Sequence, residues 1–541
     1  MKLEQIREST PGTRRIFPEV AEVKRRILCV FPKYTSSFGS FDHAYPLLGV
    51  KAFMPPQGLL VIAAYLPSHW EIQFVDENVR PARDSEFLWA DAVFVSGMHI
   101  QRHAINDINR RAHAFDKPTV LGGPSVSGTQ EYYADFDYLH LGELGDATDE
   151  IVAALARDPR RPATQQVVTT TARLPLNEFP TPAYHLADIS QYFLANVQYS
   201  SGCPYRCEFC DIPELYGQNP RLKTPAQIIK ELDAIVAGGA VGAVYFVDDN
   251  FVGNRKAAKE LLPHLVEWQK KNKYPVEFAC EATLNIVRSP DLLAMMREAS
   301  FWTVFCGIET PDPAALKFMG KQQNNEIPIL EAVQTLNSYG MEVVSGMIMG
   351  LDTDTPETPE RILQFVEASN IPVLTINLLE ALPRTPLYRR LQAENRLIDE
   401  EGRESNVDFK MPYDEVLAMW RHTFRTAFSP EAIYRRFAYN VEHTYPYRIE
   451  IPPAGKFSLA NLWRGISTLG KLIWKVGIVG HYRKIFWNMA WPALKTGDIE
   501  TVIHVSLVAH HMIEFARGAE AGVRTASFYS QTLDQTAEQA V

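Results

Sequence analysis

Short apolar runs alternate with helix-length segments along most of this chain, in two series separated by a proline-rich stretch. That alternation restricts the fold more than any other feature of the sequence. The first series runs from Ile27 to about Ala156. ILCVF (Ile27–Phe31), IQFVD (Ile72–Asp76), AVFVS (Ala92–Ser96), TVLGG (Thr119–Gly123) and YLHLG (Tyr138–Gly142) read as strands. GLLVIAAYL (Gly58–Leu66), Gln101–Phe115 and a segment starting near Asp146 read as helices. Such runs with helices between them indicate a doubly wound parallel sheet, covered on both faces. Ligands of these sheets sit outside the carboxyl ends of the strands. The loops there hold Ser96-Gly97, Gly122-Gly123-Pro124 and Gly142-Glu143, and glycine lets backbone approach a ligand closely.

Asp158 to about Tyr192 carries Pro159, Pro162, Pro175, Pro180 and Pro182 and reads as a linker. A second series follows it. Its strands are VQYSS (Val197–Ser201), AVYFVD (Ala243–Asp248), VEFAC (Val276–Cys280), TVFCGIE (Thr303–Glu309), EVVSGMIMG (Glu342–Gly350) and VLTINLL (Val373–Leu379). Six βα units fall short of the eight of a closed barrel, so a partial (β/α)6 barrel is expected, with its site at the carboxyl ends of the strands. Cys203–Cys210, Asp248, Asp249, Glu281, Glu309 and Gly350 lie there. After Glu380 the alternation stops and the chain reads as helical. The expected organisation is α/β throughout the first two parts: a polar leader over 1–25, a doubly wound domain over 26–157, a linker over 158–192, the partial barrel over 193–380 and a mainly helical C-terminal region over 381–541.

With 541 residues, 46% hydrophobic and 22% charged, the chain can bury a large core without disulfide or metal staples. No apolar stretch reaches the roughly 18 residues that a spanning helix needs, and the first twenty residues hold no apolar signal core. A net charge of −10 argues against a general nucleic-acid partner. Of the six cysteines, Cys203, Cys207 and Cys210 fall within eight residues. A disulfide framework would spread them, so a reducing compartment, the cytoplasm, is expected.

SSGCPYRCEFCDIP sets those three cysteines as C-x3-C-x2-C on a loop after a strand. Three thiolates cannot close a tetrahedral zinc site, and no histidine lies between His185 and His264. A cubane iron–sulfur cluster is held by thiolates, and three of them would leave one iron open to another ligand. The competing readings are a zinc knuckle completed by a distant residue and a chance cluster. Cys29, Cys280 and Cys306 lie in or beside separate strands and form no second motif.

At these residues the chain resembles the radical S-adenosylmethionine (SAM) family, over about Gln198 to Leu379. The resemblance implies that Cys203, Cys207 and Cys210 hold a 4Fe-4S cluster, that SAM chelates its open iron, and that one-electron reduction yields a 5′-deoxyadenosyl radical. Phe209 matches the aromatic residue usual before the last cysteine. Asp248 and Asp249 stand where the family often carries Gly-Gly-Glu, which is absent here. Glu281, Glu309, Gly346 and Gly350 are further SAM contacts on this reading, against the plain alternative that each carboxylate is a solvated loop charge or helix cap. A doubly wound domain before such a barrel resembles the cobalamin-binding subclass. Ser96, Gly97, Gly122, Gly123, Pro124, Gly142 and Glu143 are then the cobalamin contacts. The alternative for this domain is a nucleotide-binding or purely structural role. The cobalt-ligating D-x-H-x-x-G pattern is absent, and the loop PKYTSSFGS offers no histidine. His99 is the nearest candidate to approach the corrin, and an ordinary loop histidine is the simpler reading.

RILCVFPKYTSSFGSFDHAYPL, FMPPQGLLVIAAYLP, ADAVFVSGMHIQR, HLGELGDATDE, FACEATLNI, GLDTDTPET and ALPRTPLYRRL are similar to segments of the hopanoid C-2 methylase family. That resemblance implies methyl transfer from methylcobalamin to C-2 of the A ring of a hopanoid, a bacterial membrane lipid. The alternatives are a different lipid or natural-product scaffold, or a radical transformation other than methylation. C-2 of a saturated ring has neither an acidic proton nor a nucleophilic pair, so a polar methyl transfer has nothing to attack it. An electron-donor protein such as a flavodoxin or ferredoxin is the implied partner.

Ile451–Gly497 holds no Asp or Glu, seven basic residues and four of the nine tryptophans. Leu462, Ile466, Leu469, Ile473 and Val476 recur at helical spacing. A basic face with interfacial tryptophans suits peripheral contact with an anionic membrane, here the inner membrane face. A helical cap with solvated lysines fits as well, and Gly465, Gly470, Gly477 and Gly480 argue against one rigid helix. Nothing else in the chain supports a nucleic-acid role for this span.

Overall fold

The computed structural model describes residues 23–239, 241–398, 400, 402–449 and 459–521. The leader expected over 1–25 lies outside the described residues up to position 22, as does the 451–458 part of the acid-free span, with Lys456. The chain forms two compact units. One comprises residues up to Tyr34, Met54–Gly202 and Ile212–Val241; the other comprises Thr35–Phe53, Cys203–Asp211 and everything from Gly242 onward.

The first unit is built on a sheet of order β2-β1-β3-β4-β5-β6. Its strands are β1 (Arg26–Phe31), β2 (Glu71–Asp76), β3 (Ala92–Ser96), β4 (Thr119–Gly122), β5 (Tyr138–Leu141) and β6 (Gln166–Thr169). Every adjacent pair is parallel. Alternate residues of β1 enter two separate cores: Ile27, Cys29 and Phe31 pack with Leu59 and Ile151, while Leu28 and Val30 pack with Phe87 and Ile105. Burial on both faces is why the strand is apolar throughout. Because β1 lies between β2 and β3, the strand order reverses there, and that reversal opens a crevice at the carboxyl ends of β1 and β3.

Two expectations need correction in this unit. The proline-rich stretch read as a linker contains β6, an edge strand whose Gln166, Val167 and Thr169 are exposed. An edge strand that buries so little leaves no apolar run to read. VQYSS is not one strand: Ala195–Val197 forms β7, while Ser200–Ser201 (β8) pairs antiparallel with Arg221–Leu222 (β9). The chain breaks direction at Gly202, whose φ of +100° and 2.8 Å approach to the Gly217 carbonyl exclude a side chain.

In the second unit β10 (Ala243–Phe246), β11 (Glu277–Glu281), β12 (Phe301–Glu309), β13 (Glu342–Met349) and β14 (Val373–Leu378) pair in parallel, in chain order. Helices Arg255–Lys271, Pro290–Glu298, Ile329–Ser338 and Thr358–Ser369 connect them. Helices Tyr413–Ala427, Pro430–His443, Leu459–Leu472, Arg483–Thr496 and Ile499–Glu520 follow. Phe38, from the segment after β1, packs among Phe424, Phe428 and Phe515 of these helices at centroid distances of 6.2, 4.6 and 4.5 Å. The acid-free span is not one rigid helix: Gly480 lies in the break between Ile473–Ile478 and Arg483–Thr496. Gly465 and Gly470 lie inside Leu459–Leu472, which runs on as a π-helix over Ile473–Ile478. Gly477 is used for close packing, since a Cβ there would fall 2.8 Å from Phe486. Among the described residues no helix is long and apolar enough to cross a membrane.

Candidate active site

The loop Cys203–Asp211 is anchored within the second unit from several sides. The Glu208 N–H donates to the Met319 carbonyl at 2.8 Å, and its own carbonyl accepts from the Leu387 N–H at 3.0 Å. Arg390 clamps the Glu208 carboxylate through Nε at 2.5 Å and a terminal nitrogen at 3.2 Å, and reaches Asp352 at 2.8 Å. Such bidentate pairs fix geometry as well as contributing energy. Tyr205 accepts a hydrogen bond from Asn285 at 2.8 Å. Gly320, at φ +73°, lies so close to the loop that a Cβ would come within 2.9 Å of the Arg206 carbonyl.

Cys203, Cys207 and Cys210 are all half-buried and in no disulfide. Gln323 donates Nε2–H to the Cys207 sulfur at 3.5 Å. Burial pushes the Cys203 thiol up, opposed by hydrogen bonds from the Tyr205 backbone and Asn250, while Cys207 and Asp249 push it further up. Among the described residues no three Cys, His, Asp or Glu side chains converge on one point as a single ion requires. A cubane differs in taking each thiolate on a separate iron, so three half-buried thiols on one pinned loop fit it.

Beside the loop lies a buried ion pair, Lys321 with Glu309, 9% and 10% exposed. Lys321 also stands over the Phe209 ring at 5.6 Å. Burial pushes the Lys321 ammonium down, but Glu309, Cys207 and Cys210 together hold it above its ordinary value. Glu309 ends β12 at φ +68°, a conformation that costs a non-glycine residue about 1–3 kcal/mol and persists only where its surroundings enforce it. Gly307 makes room for the pair: a Cβ there would fall 2.7 Å from Lys321 Nζ. Gly346 lies on the same side, its would-be Cβ 3.8 Å from Glu309 Oε2. Gly350 has a packing reason of its own, since at φ +90° a Cβ would collide with Phe409 at 2.5 Å. Its N–H is accepted by Asp354 at 2.7 Å.

Asp248 and Asp249 follow β10, and Glu281 ends β11. Burial, with Asp249 next, pushes Glu281 up to about 7, and Asp248 adds to it. Tyr245 donates to Glu281 at 3.4 Å. The structure thus brings Asp248, Asp249, Glu281 and Glu309 to one end of the sheet with the cysteine loop. It adds Lys321, Gln323, Asn250 and Tyr245, which reasoning from sequence missed. The signal for two of them is the polar run Lys321–Asn325 directly after Gly320.

In the first unit Ser96-Gly97 and Gly122-Gly123-Pro124 are neighbours. The Ser125 N–H donates to the Gly97 carbonyl at 3.2 Å, and a Cβ on Gly123, at φ +94°, would fall 2.5 Å from Ser96 Oγ. Gly142 has a φ of +100°, and its N–H donates to Ser127 Oγ at 3.0 Å. Glu143 is engaged by Arg221 at 2.7 Å and Arg173 at 3.0 Å. These two ion pairs tie the loop after β5 to Arg173 and Arg221. His140 donates or accepts at Thr148 at 2.8 Å, and burial pushes it below its ordinary value. His99 packs against Tyr132 at 5.5 Å. Asp76, at the end of β2, was not singled out by sequence; burial pushes it up to about 6, against hydrogen bonds from Asn78 and Tyr192. Cys29 and Cys306 are fully buried, and burial pushes each up to about 12, as inert core thiols require.

Residues 197–366 match the radical SAM superfamily, and residues 385–525 match a domain of unknown function, DUF4070. The fold is similar to that of OxsB, a cobalamin-dependent SAM radical enzyme solved with aqua-cobalamin and SAM bound. That likeness has a TM-score of 0.59 at 15% identity and covers 96% of this chain and 84% of that one. It is also similar to TsrM, a radical SAM methyltransferase from Kitasatospora setae solved with cobalamin and a 4Fe-4S cluster. There the TM-score is 0.57 at 15% identity, over 92% of this chain and 100% of that one. The fold is therefore that of the cobalamin-dependent radical SAM enzymes, a doubly wound unit and a partial barrel with a helical C-terminal region.

The sequence narrows this further. The chain is 59% identical over 520 residues, 96% of its length and 99% of the relative's, to the hopanoid C-2 methylase of Rhodopseudomonas palustris (strain TIE-1). It is 33% identical over 505 residues, 91% of this chain and 92% of the relative, to an uncharacterized methyltransferase of Synechocystis. The chain belongs to the hopanoid C-2 methylase family.

Proposed function

We propose that this protein methylates C-2 in the A ring of a hopanoid, using a 4Fe-4S cluster, SAM and cobalamin. The observation that carries this reading is the 59% identity over 96% of the chain, which spans both units and the cysteine loop. Residues 26–157 are assigned to cobalamin, 193–380 to radical generation and 381–541 to the lipid, with 158–192 between the first two. An electron donor of the flavodoxin or ferredoxin kind supplies the reducing electron, and the lipid is met at a membrane surface.

When bound, the cluster and SAM supply a carbon radical that removes the C-2 hydrogen, and cobalamin supplies the methyl group. Cys203, Cys207 and Cys210 hold the cluster on a loop fixed by Glu208 and Arg390. Gln323 and Lys321 place an N–H and a positive charge beside the sulfurs, which stabilises added negative charge on them. Asp248, Asp249, Glu281, Glu309, Gly346 and Gly350 border the space for SAM, where carboxylates suit its ammonium group. Ser96, Gly97, Gly122, Gly123, Pro124 and Gly142 would hold the corrin by backbone that can approach it closely, and Glu143 braces their loop through its two arginines.

The test is anaerobic turnover of the reconstituted protein with an unmethylated hopanoid, a low-potential reductant and SAM bearing a deuterated methyl group. A product heavier by one labelled methyl at C-2 is expected. Formation of 5′-deoxyadenosine with the hopanoid unchanged, or a label at another carbon, would overturn the assignment.

A further inference from the structure

The helix Leu459–Leu472 and its π continuation carry apolar side chains on two faces. One stripe, Leu472 and Val476, is fully buried. The other faces solvent: Trp463 is 71% exposed, Ile466 54%, Trp474 64% and Ile478 53%. Their separations of three, eight and four residues place them along one helical side. The following helix adds Trp491, 55% exposed. Trp487 links the two helices by donating Nε1–H to the Gly477 carbonyl at 2.8 Å, with its ring 6.4 Å from that of Trp491. Of the fourteen large hydrophobic side chains exposed among the described residues, seven lie between Trp463 and Ile499. That concentration is not the scatter of single exposed residues normal on a protein surface, and it marks an interaction site.

The charge around this stripe is of one sign. Lys471, Lys475, Arg483, Lys484 and Lys495 are exposed, and no acidic residue occurs between Ile451 and Gly497. The Lys495 ammonium stands 5.3 Å over the Trp491 ring, a cation–π contact that sets positive charge directly beside exposed apolar surface. A second copy docking by the same face would set basic against basic. A phosphate backbone would satisfy the lysines and leave Ile466 and Ile478 in water. An anionic bilayer takes both, with tryptophan rings at the headgroup level and lysines on the phosphates.

We propose that the exposed stripe of Leu459–Ile478 together with Arg483–Thr496 is a docking surface for an anionic lipid bilayer. The inference rests on the reading that the substrate is a membrane lipid and deepens it by naming the surface from which that lipid is taken. Docking is peripheral and reversible, since apolar side chains of one helical face enter the headgroup region and, among the described residues, no helix is long and apolar enough to cross.

The experiment is co-sedimentation of the full-length protein, cluster loaded, with vesicles of phosphatidylcholine alone or mixed with phosphatidylglycerol, free of any hopanoid. Wild type is compared with Lys471→Glu/Lys475→Glu/Lys484→Glu and with Trp463→Ser/Trp474→Ser/Trp491→Ser. Cluster absorbance and thermal unfolding establish that each variant is folded. Each lysine near an anionic surface contributes about fivefold in partitioning, so the charge variant is expected to bind about a hundredfold more weakly. High salt should weaken wild type in the same direction, because screening contracts from about 10 Å at 0.1 M to about 3 Å at 1 M. The tryptophan variant should lose binding that salt does not remove. Equal, salt-independent partitioning of all three proteins overturns the proposal, as does a wild type that binds neither vesicle. Concentration-dependent dimers abolished by the tryptophan substitutions overturn it in favour of a second copy. Since no hopanoid is present, vesicle binding stands or falls separately from the methylation assay.

Discussion

The two parallel sheets of this protein end in opposite chemistries. At the carboxyl ends of β3 and β4 there is a hydroxyl and a run of glycines, and Glu143, in the loop after β5, is already held by Arg221 and Arg173. At the ends of β10 to β12 there are Asp248, Asp249, Glu281 and Glu309, a buried lysine, and three thiols on a clamped loop. On the proposed assignment, one architecture serves two demands. A large macrocycle needs backbone that can come close, and glycine provides it. A cluster and a charged sulfonium ligand need compensating charge in a low-dielectric setting, where each charge acts strongly. The comparison teaches that strand-end position is supplied by the fold, while the ligand is selected by what stands at that position.

The largest expected effects separate the two ends. Replacing Cys203, Cys207 or Cys210 by Ala should remove most of the iron and abolish SAM cleavage, while leaving cobalamin binding to the first unit. Iron analysis beside corrin absorbance on the same sample checks this, and full activity in a triple Ala variant would end the assignment. The mirror experiment is Gly123→Ala, where φ of +94° and Ser96 Oγ at 2.5 Å both oppose a side chain. Strain of about 1–3 kcal/mol should weaken cobalamin binding tenfold or more with the iron content unchanged. In wild type, the Co(II) spectrum should lack hyperfine structure from a protein nitrogen.

A smaller effect is expected next to the sulfurs. Gln323→Leu removes the N–H donor to Cys207, and hydrogen bonds to cluster sulfurs raise the reduction potential. The potential should fall by some tens of millivolts without loss of iron, read by redox titration of the cluster signal. An unchanged potential would make Gln323 a packing residue.

The smallest effects concern pH, and they carry opposite signs in the two units. His510 is pushed down to about 3, by burial first and then by His43, Lys475, His511 and His481, and Tyr482 bonds its ring at 2.7 Å. An unfolded histidine titrates near 6.5, so the folded state binds fewer protons below that pH and its stability is lost as pH falls. Relative to His510→Gln, wild type should lose about 1 kcal/mol between pH 6.5 and 5.5. Asp76 behaves oppositely. Its folded value of about 6 exceeds the unfolded one of about 3.9, so the folded state binds more protons between them. Relative to Asp76→Asn, wild type should gain stability as pH falls from 6 toward 4. Denaturant titrations at each pH measure both differences, and slopes of equal sign would refute the contrast.

Some of this was legible early because the information is local. The spacing of Cys203, Cys207 and Cys210 lies within eight residues, and a glycine after an apolar run marks a strand end wherever it falls. What escaped is non-local. Lys321 and Gln323 reach a loop more than a hundred residues earlier in the chain, and Arg390 reaches Glu208 across 182 residues. Edge strand β6 escaped for a different reason, having almost no buried side to give it an apolar pattern.

Taken alone, the amino-acid order determined the two alternating series, the cysteine loop and the acid-free, tryptophan-rich span, since each is a pattern of neighbours along the chain. Only the tertiary structure decided which of two apolar stripes on Leu459–Ile478 is buried, that Glu143 is held by two arginines, and that the segment after β1 packs with the C-terminal helices. Periodicity states that a helix has a face but not what covers it. Burial and charge pairing depend on residues far apart in sequence, and those meet only when the chain is folded.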